Sequence, residues 1–148
     1  MNTVEMFCLR YDGKKNIAKN FKVEEFRSKC GSHIIKIDTA FVRDFLQKIR
    51  DHFGRAVKVI SAYRTEAHNA KVGGARKTAT SRGSFHLYGE AFDISIAGVP
   101  LIEIARYAQS IGIQGIIVYN SFVHLDVRTT KYFARNNNGK ITTVGSWI

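Results

Sequence analysis

Ser81–Ile96 reads SRGSFHLYGEAFDISI, and the change of pattern inside this stretch decides how the chain is built. From Ala91 to Ile96 the side chains alternate, with Ala91, Asp93 and Ser95 on one face and Phe92, Ile94 and Ile96 on the other. A period of two is that of a half-buried strand. Asp93 falls on its small-residue face, where there is room for an ion. Gly89, just before the strand, accepts backbone angles that a residue with a Cβ resists, so the chain can bend and return His86 over Asp93. An imidazole beside a carboxylate suits zinc.

Two protein ligands are too few for a zinc site, and the best third lies in SFVHLDVR, Ser121–Arg128. Val123, Leu125 and Val127 form an apolar face there, which leaves Phe122, His124 and Asp126 on the other. His86, Asp93 and His124 make a His2Asp set with one position open to water, a catalytic arrangement, whereas structural zinc is usually closed by four protein ligands. Asp126 shares the face of His124 and is expected to point into the same cavity.

The remaining pattern sets the architecture. Asp38 is a good N-cap and Gly54 a good stop for a helix ending near Phe53, whose apolar residues Phe41, Val42, Phe45, Leu46, Ile49 and Phe53 recur at three and four. Pro100 opens a second helix with Leu101, Ile104, Ala105 and Ala108 as its buried stripe before Gly112. Val57–Arg64, Gly115–Tyr119 and Phe122–Arg128 read as strands, Val4–Leu9 as an edge strand and Val23–Phe26 as a short helix. After Arg128 a turn at Asn138-Gly139 and one more strand are expected. The order predicts one α+β domain over residues 1–148, with a small, mainly antiparallel sheet flanked by helices.

Lys and Arg outnumber Asp and Glu by 23 to 12, a net charge of +11, which favours polyanionic surroundings: nucleic acid, anionic lipid or the teichoic acids of a cell wall. Cys8 and Cys30 lack the C-x-x-C spacing of a zinc ribbon or redox pair. No apolar run approaches the roughly 18 residues of a membrane span, and the N-terminus lacks the pattern of a signal peptide. Synthesis in the cytoplasm, followed by release or export, is therefore expected. Ala70–Gly83, with Lys71, Arg76, Lys77 and Arg82, does not follow the order of a nucleotide-phosphate loop and reads as a basic rim. His33, His52 and His68 have no pattern that favours a metal role.

Ser84, His86, Gly89, Ala91 and Asp93 spell S-x-H-x-x-G-x-A-x-D, and His124-x-Asp126 follows. Together they resemble the zinc D-alanyl-D-alanine carboxypeptidase family. The similarity extends to NFKVEEF (Asn20–Phe26), KCGSH (Lys29–His33) and SAYRTEAHN (Ser61–Asn69), covering roughly Asn20 to Arg128. It implies a Hedgehog/DD-peptidase-like fold and Zn2+ held by His86, Asp93 and His124. The implied reaction is hydrolysis of peptidoglycan peptides, as a D,D-carboxypeptidase or an endopeptidase of the endolysin kind. Arg64 would hold substrate, with Ser84 and Tyr88 beside it. The closest such peptidases place an acidic base shortly before the last histidine, where this chain has Asn120 and Ser121. That leaves Asp126 either as the general base or as a support for His124. The other reading is a zinc-stabilised wall-binding or phage structural module without turnover. Anionic wall polymers are expected as further partners, nucleic acid is not, and the chain is expected to be a monomer.

Overall fold

In the computed structural model, which describes residues 3–148, the two alternating segments lie side by side within a six-stranded sheet. The chain reaches that sheet late. It begins with β1 (Val4–Cys8), a turn of helix α1 (Leu9–Asp12), a hairpin of β2 (Asn16–Ala18) and β3 (Phe21–Lys22), and a 3-10 turn at Val23–Phe26. Strand β4 (Ile34–Asp38) pairs antiparallel with β1 in a two-stranded sheet of its own.

Asp38 caps the predicted first helix, its Oδ1 accepting from Phe41 N at 3.1 Å. The helix runs as α2 (Thr39–Phe41), a π-type segment (Val42–Leu46) and α3 (Gln47–Phe53), and Gly54 ends it in the left-handed region at φ 62°. The wider π turn was not expected, because apolar spacing does not distinguish it from an α turn. Next come β5 (Val57–Ser61), α4 (Glu66–Lys71), a 3-10 turn at Phe85–Tyr88, β6 (Ala91–Ile96) and α5 (Leu101–Ser110), followed by β7 (Gly115–Val118), β8 (Val123–Asp126), β9 (Tyr132–Asn137) and β10 (Lys140–Thr143).

The main sheet has the order β10-β9-β7-β8-β6-β5, with every pair antiparallel except β7 and β9. The fold is α+β, as expected, and the main sheet departs from the sequence reading at both ends of the chain's path through it. Val57–Arg64 leaves the ladder at Ser61, because Tyr63 N and Arg64 N turn to the carbonyls of Phe26 and His86 instead. The tail forms two strands rather than one, and β9 joins β7 in parallel before the turn at Asn138 and Gly139.

The apolar face of β6 carries the core. Phe92 stacks on Phe41 at 5.1 Å and meets Phe26 edge-on at 5.7 Å. Ile94, Ile116 and Leu125 are fully buried, as are Ile104 and Ala108 of α5. No helix among the described residues is long and apolar enough to cross a membrane.

Candidate metal centre

Strand register brings the first two groups together. Asp93 of β6 lies directly opposite His124 of β8, and Ile117 of β7 lies opposite His124 on its other side. Paired residues project to the same face, so the carboxylate and imidazole meet without any loop. His124 Nδ1 is 3.0 Å from Asp93 Oδ1.

His86 comes from the 3-10 turn before β6. Ser84 caps that turn by accepting from His86 N at 3.1 Å, and Gly89 ends it at φ 72°. A Cβ on Gly89 would stand 2.2 Å from Lys36 O, so the turn packs against β4 at a distance only glycine permits. The His86 ring is oriented by Ala62 O, 2.6 Å from Nδ1. A carbonyl can only accept, which makes Nδ1 the donor and leaves Nε2 as the lone-pair nitrogen. Nε2 faces Asp93 Oδ2 at 3.2 Å.

One ligand atom from each of His86, Asp93 and His124 lies within 4.8 Å of the others, and all three residues are buried. The cluster is able to hold a metal ion. Burial by itself would raise the Asp93 carboxyl, but the two imidazoles outweigh it and hold Asp93 well below the usual carboxylate range. Burial would likewise lower His124, yet its bonds to Asp126 and Asp93 carry it up to about 9. A cation among these atoms competes with that proton.

Asp126 occupies a niche behind His124. Its cross-strand neighbours are Ala91 and Gly115, and a Cβ on Gly115 would stand 1.9 Å from Asp126 Oδ1. Its Oδ2 takes His124 Nε2 at 2.7 Å, while Arg128 donates from N and Nε to Oδ1 and from Nη2 to Oδ2.

Arg64 stands beside Asp93, with Nη2 at 3.5 Å from Oδ2, Nε donating to Ser61 Oγ and Nη1 to Asn69 Oδ1. Asn69 is buried and also donates to Ala75 O at 2.9 Å. It therefore ties Arg64 to the glycine-containing loop, where a Cβ on Gly74 would collide with Asn69 Oδ1. Burial lowers the pKa of Arg64 against the opposing charge of Asp93.

The three potential ligands open onto a cleft of about 570 Å³, lined further by Arg64, Ser84, Tyr119, Phe122, Arg128 and Asn136. Two of the expected site residues lie outside this cleft. Asp126 lines a different cavity, on the far side of the His124 ring, because register sets it in the Ala91–Gly115 niche. Tyr88 also lies outside the cleft: its hydroxyl donates to Arg82 O at 2.8 Å, and Arg82 covers its ring. The 3-10 turn ending at Gly89 points Tyr88 away from His86. Ser84 does reach the cleft, with its hydroxyl committed to the His86 cap.

Sequence reasoning missed Asn69, Tyr119, Arg128 and Asn136. Arg128 was within reach, two residues beyond Asp126 on the same alternation. Asn136 had no local signal, since only the parallel pairing of β9 with β7 brings it here.

Comparison with known proteins agrees with the extent of the resemblance. The peptidase M15 family model matches residues 19–126. The probable peptidoglycan L,D-endopeptidase MepK of Haemophilus influenzae is 31% identical over 137 residues, covering 82% of this chain and 73% of that protein. The peptidoglycan L,D-endopeptidase MepK of Escherichia coli K12 is 27% identical over 128 residues, covering 83% and 70%. These relatives are named as endopeptidases rather than carboxypeptidases. With the family model matching well over half of its length, this chain belongs to the peptidase M15 family.

Proposed function

We propose that the chain is a zinc-dependent endopeptidase that hydrolyses amide bonds in the peptides of bacterial peptidoglycan, with residues 1–148 acting as one unit of the Hedgehog/DD-peptidase type. The observation that carries this reading is the convergence of His86, Asp93 and His124 on the floor of an open cleft, with Arg64 beside them. The names of the relatives support the substrate.

Two imidazole nitrogens and one carboxylate oxygen are donors that zinc takes, and three protein ligands leave the fourth position that catalytic zinc requires. When bound, zinc supplies a Lewis acid that polarises a scissile carbonyl and activates water near neutral pH. The protein's own groups do the rest. Ala62 O and Asp126 fix the two rings by holding their outer N–H groups, so that His86 Nε2 and His124 Nδ1 face Asp93. Asp126, with both oxygens engaged by His124 and Arg128, orients His124 and is not the general base. Arg64 presents a planar fork at the cleft wall and holds a carbonyl or carboxylate of the peptide. The net charge of +11 draws the protein to anionic wall polymers once release or export has brought it to the wall.

The test is digestion of purified sacculi by the zinc-loaded chain, with products read by mass spectrometry. Soluble peptides cut at an internal bond are expected, and a chelator should abolish them until zinc is restored. Release of terminal D-alanine alone would make the chain a D,D-carboxypeptidase. Among the described residues no acidic side chain but Asp93 lines the cleft, which favours one rival, a wall-binding module without turnover. A chain that binds zinc and sacculi yet frees no peptide is that module. Substitution of His86, Asp93 or His124 by alanine should each abolish zinc stoichiometry, and full retention would remove that residue from the set.

A further inference from the structure

We propose that Tyr119 is a catalytic residue whose phenol donates a hydrogen bond to the carbonyl oxygen of the scissile amide as that oxygen gains negative charge; the role rests on the peptidase reading above. As water adds, a C–O bond forms at the carbonyl carbon and the C=O π pair moves onto oxygen. When the C–N bond then breaks, that pair returns and the leaving nitrogen takes a proton originating from the attacking water. Tyr119 keeps its own proton throughout and supplies only the hydrogen bond.

Position comes first. Tyr119 follows β7 two residues after Ile117, which pairs with His124, and it lines the same cleft as His86, Asp93, His124 and Arg64. Its ring does not swing freely. It stacks on Phe122 at 4.5 Å with an interplanar angle of 19°, across a turn closed by Tyr119 N donating to Phe122 O at 2.9 Å.

Asn136 lines the cleft with Tyr119, its Oδ1 accepting from Gly139 N at 2.8 Å. The phenol has a single O–H to donate, in the cleft that the potential ligands share. Burial raises the Tyr119 phenol above its usual value, so it carries its hydrogen at neutral pH.

The cationic donors of the cleft are anchored in its wall, which leaves Arg64 its outer N–H groups to hold a remote carbonyl or carboxylate of the peptide. Arg64 gives one N–H each from Nε, Nη1 and Nη2 to Ser61, Asn69 and Asp93. Arg128 spends Nε and Nη2 on Asp126. Preorganised donors aimed at developing charge in a water-poor site supply a large share of catalysis, and losing one costs about 10²- to 10³-fold in kcat.

The experiment compares wild type with Tyr119→Phe, both zinc-loaded. On a peptide that the wild type cleaves, kcat should fall by about 10²- to 10³-fold with KM little changed, and zinc stoichiometry and thermal unfolding should stay at wild-type values. Calorimetry with a phosphinate isostere of that peptide, whose tetrahedral P–O⁻ stands where the oxyanion forms, gives a readout independent of turnover. Its affinity should weaken by a similar factor while that of the uncleaved amide peptide holds. Equal phosphinate affinity in the two proteins, or an unchanged kcat, overturns the proposal. If the wild type frees nothing from sacculi, the peptidoglycan reading fails separately. A dipeptide phosphinate then still reports whether Tyr119 binds a tetrahedral oxyanion.

Discussion

Asp126 grips His124 from behind: its Oδ2 lies 2.7 Å from His124 Nε2, at the ring edge opposite the nitrogen that faces Asp93. In that place a carboxylate orients the imidazole and raises its basicity but cannot take a proton from water in the cleft. Asp126→Asn should therefore weaken zinc affinity by roughly 10- to 100-fold, and added zinc should restore turnover. A general base would show the opposite pattern, with zinc retained and kcat down about 10²- to 10⁴-fold. A zinc titration followed by turnover at saturating metal separates the two.

Gly115 makes the niche that Asp126 occupies. Gly115→Ala puts a Cβ 1.9 Å from Asp126 Oδ1, so the carboxylate or the β7 backbone must move. Overpacking of this kind typically costs about 1–3 kcal/mol. Lower thermal stability together with weaker zinc binding is expected. A variant with wild-type metal affinity would show that His124 holds its place without Asp126.

Arg64→Ala should leave zinc stoichiometry intact and lower kcat/KM on peptide substrates. A hydrogen bond to a charged group is worth about 1.5–3 kcal/mol, or roughly 10- to 100-fold. Arg64→Lys should not rescue, because a lysine cannot replace the fork held among Ser61, Asn69 and Asp93. Full activity of the lysine variant would reduce Arg64 to a simple positive charge.

Both cysteines are free, and Cys30 is exposed. Its Sγ lies 3.2 Å from Ser28 Oγ and 3.4 Å from Thr65 Oγ1. Hydrogen bonds from these hydroxyls favour the thiolate and hold the thiol below its usual pKa, with burial opposing weakly. The rate of Cys30 alkylation by iodoacetamide should rise with pH through a midpoint below that of an ordinary thiol. Ser28→Ala should move the midpoint upward, and an unmoved midpoint would discount that hydrogen bond.

The sequence disclosed the cluster of His86, Asp93 and His124, which is able to hold a metal ion, because each member announces itself locally. Asp93 and His124 sit in strict alternations, and Gly89 marks the bend that returns His86. What it withheld depends on partners far along the chain. Alternation put Asp126 on the face of His124 correctly, yet only the register against Ala91 and Gly115 places it behind the ring rather than in the cleft. Tyr88 sits inside the motif and still faces away, since a 3-10 turn separates neighbours that a strand would have kept in line. Asn136 and Ile141 reach the cleft through a parallel pairing that no short window of sequence encodes.

That pairing also divides the protein's inheritance. The family match ends at residue 126, whereas Asn136 and Ile141, which line the cleft, belong to the hairpin β9–β10 beyond it. The hairpin stands at the sheet edge, with β10 exposed along its length. Its turn and the exposed strand β10 can thus vary while buried Phe133 and Ala134 of β9, and the elements bearing His86, Asp93 and His124, stay as they are. Grafting turns of other lengths onto β9 is a route to retargeting which peptide the cleft admits.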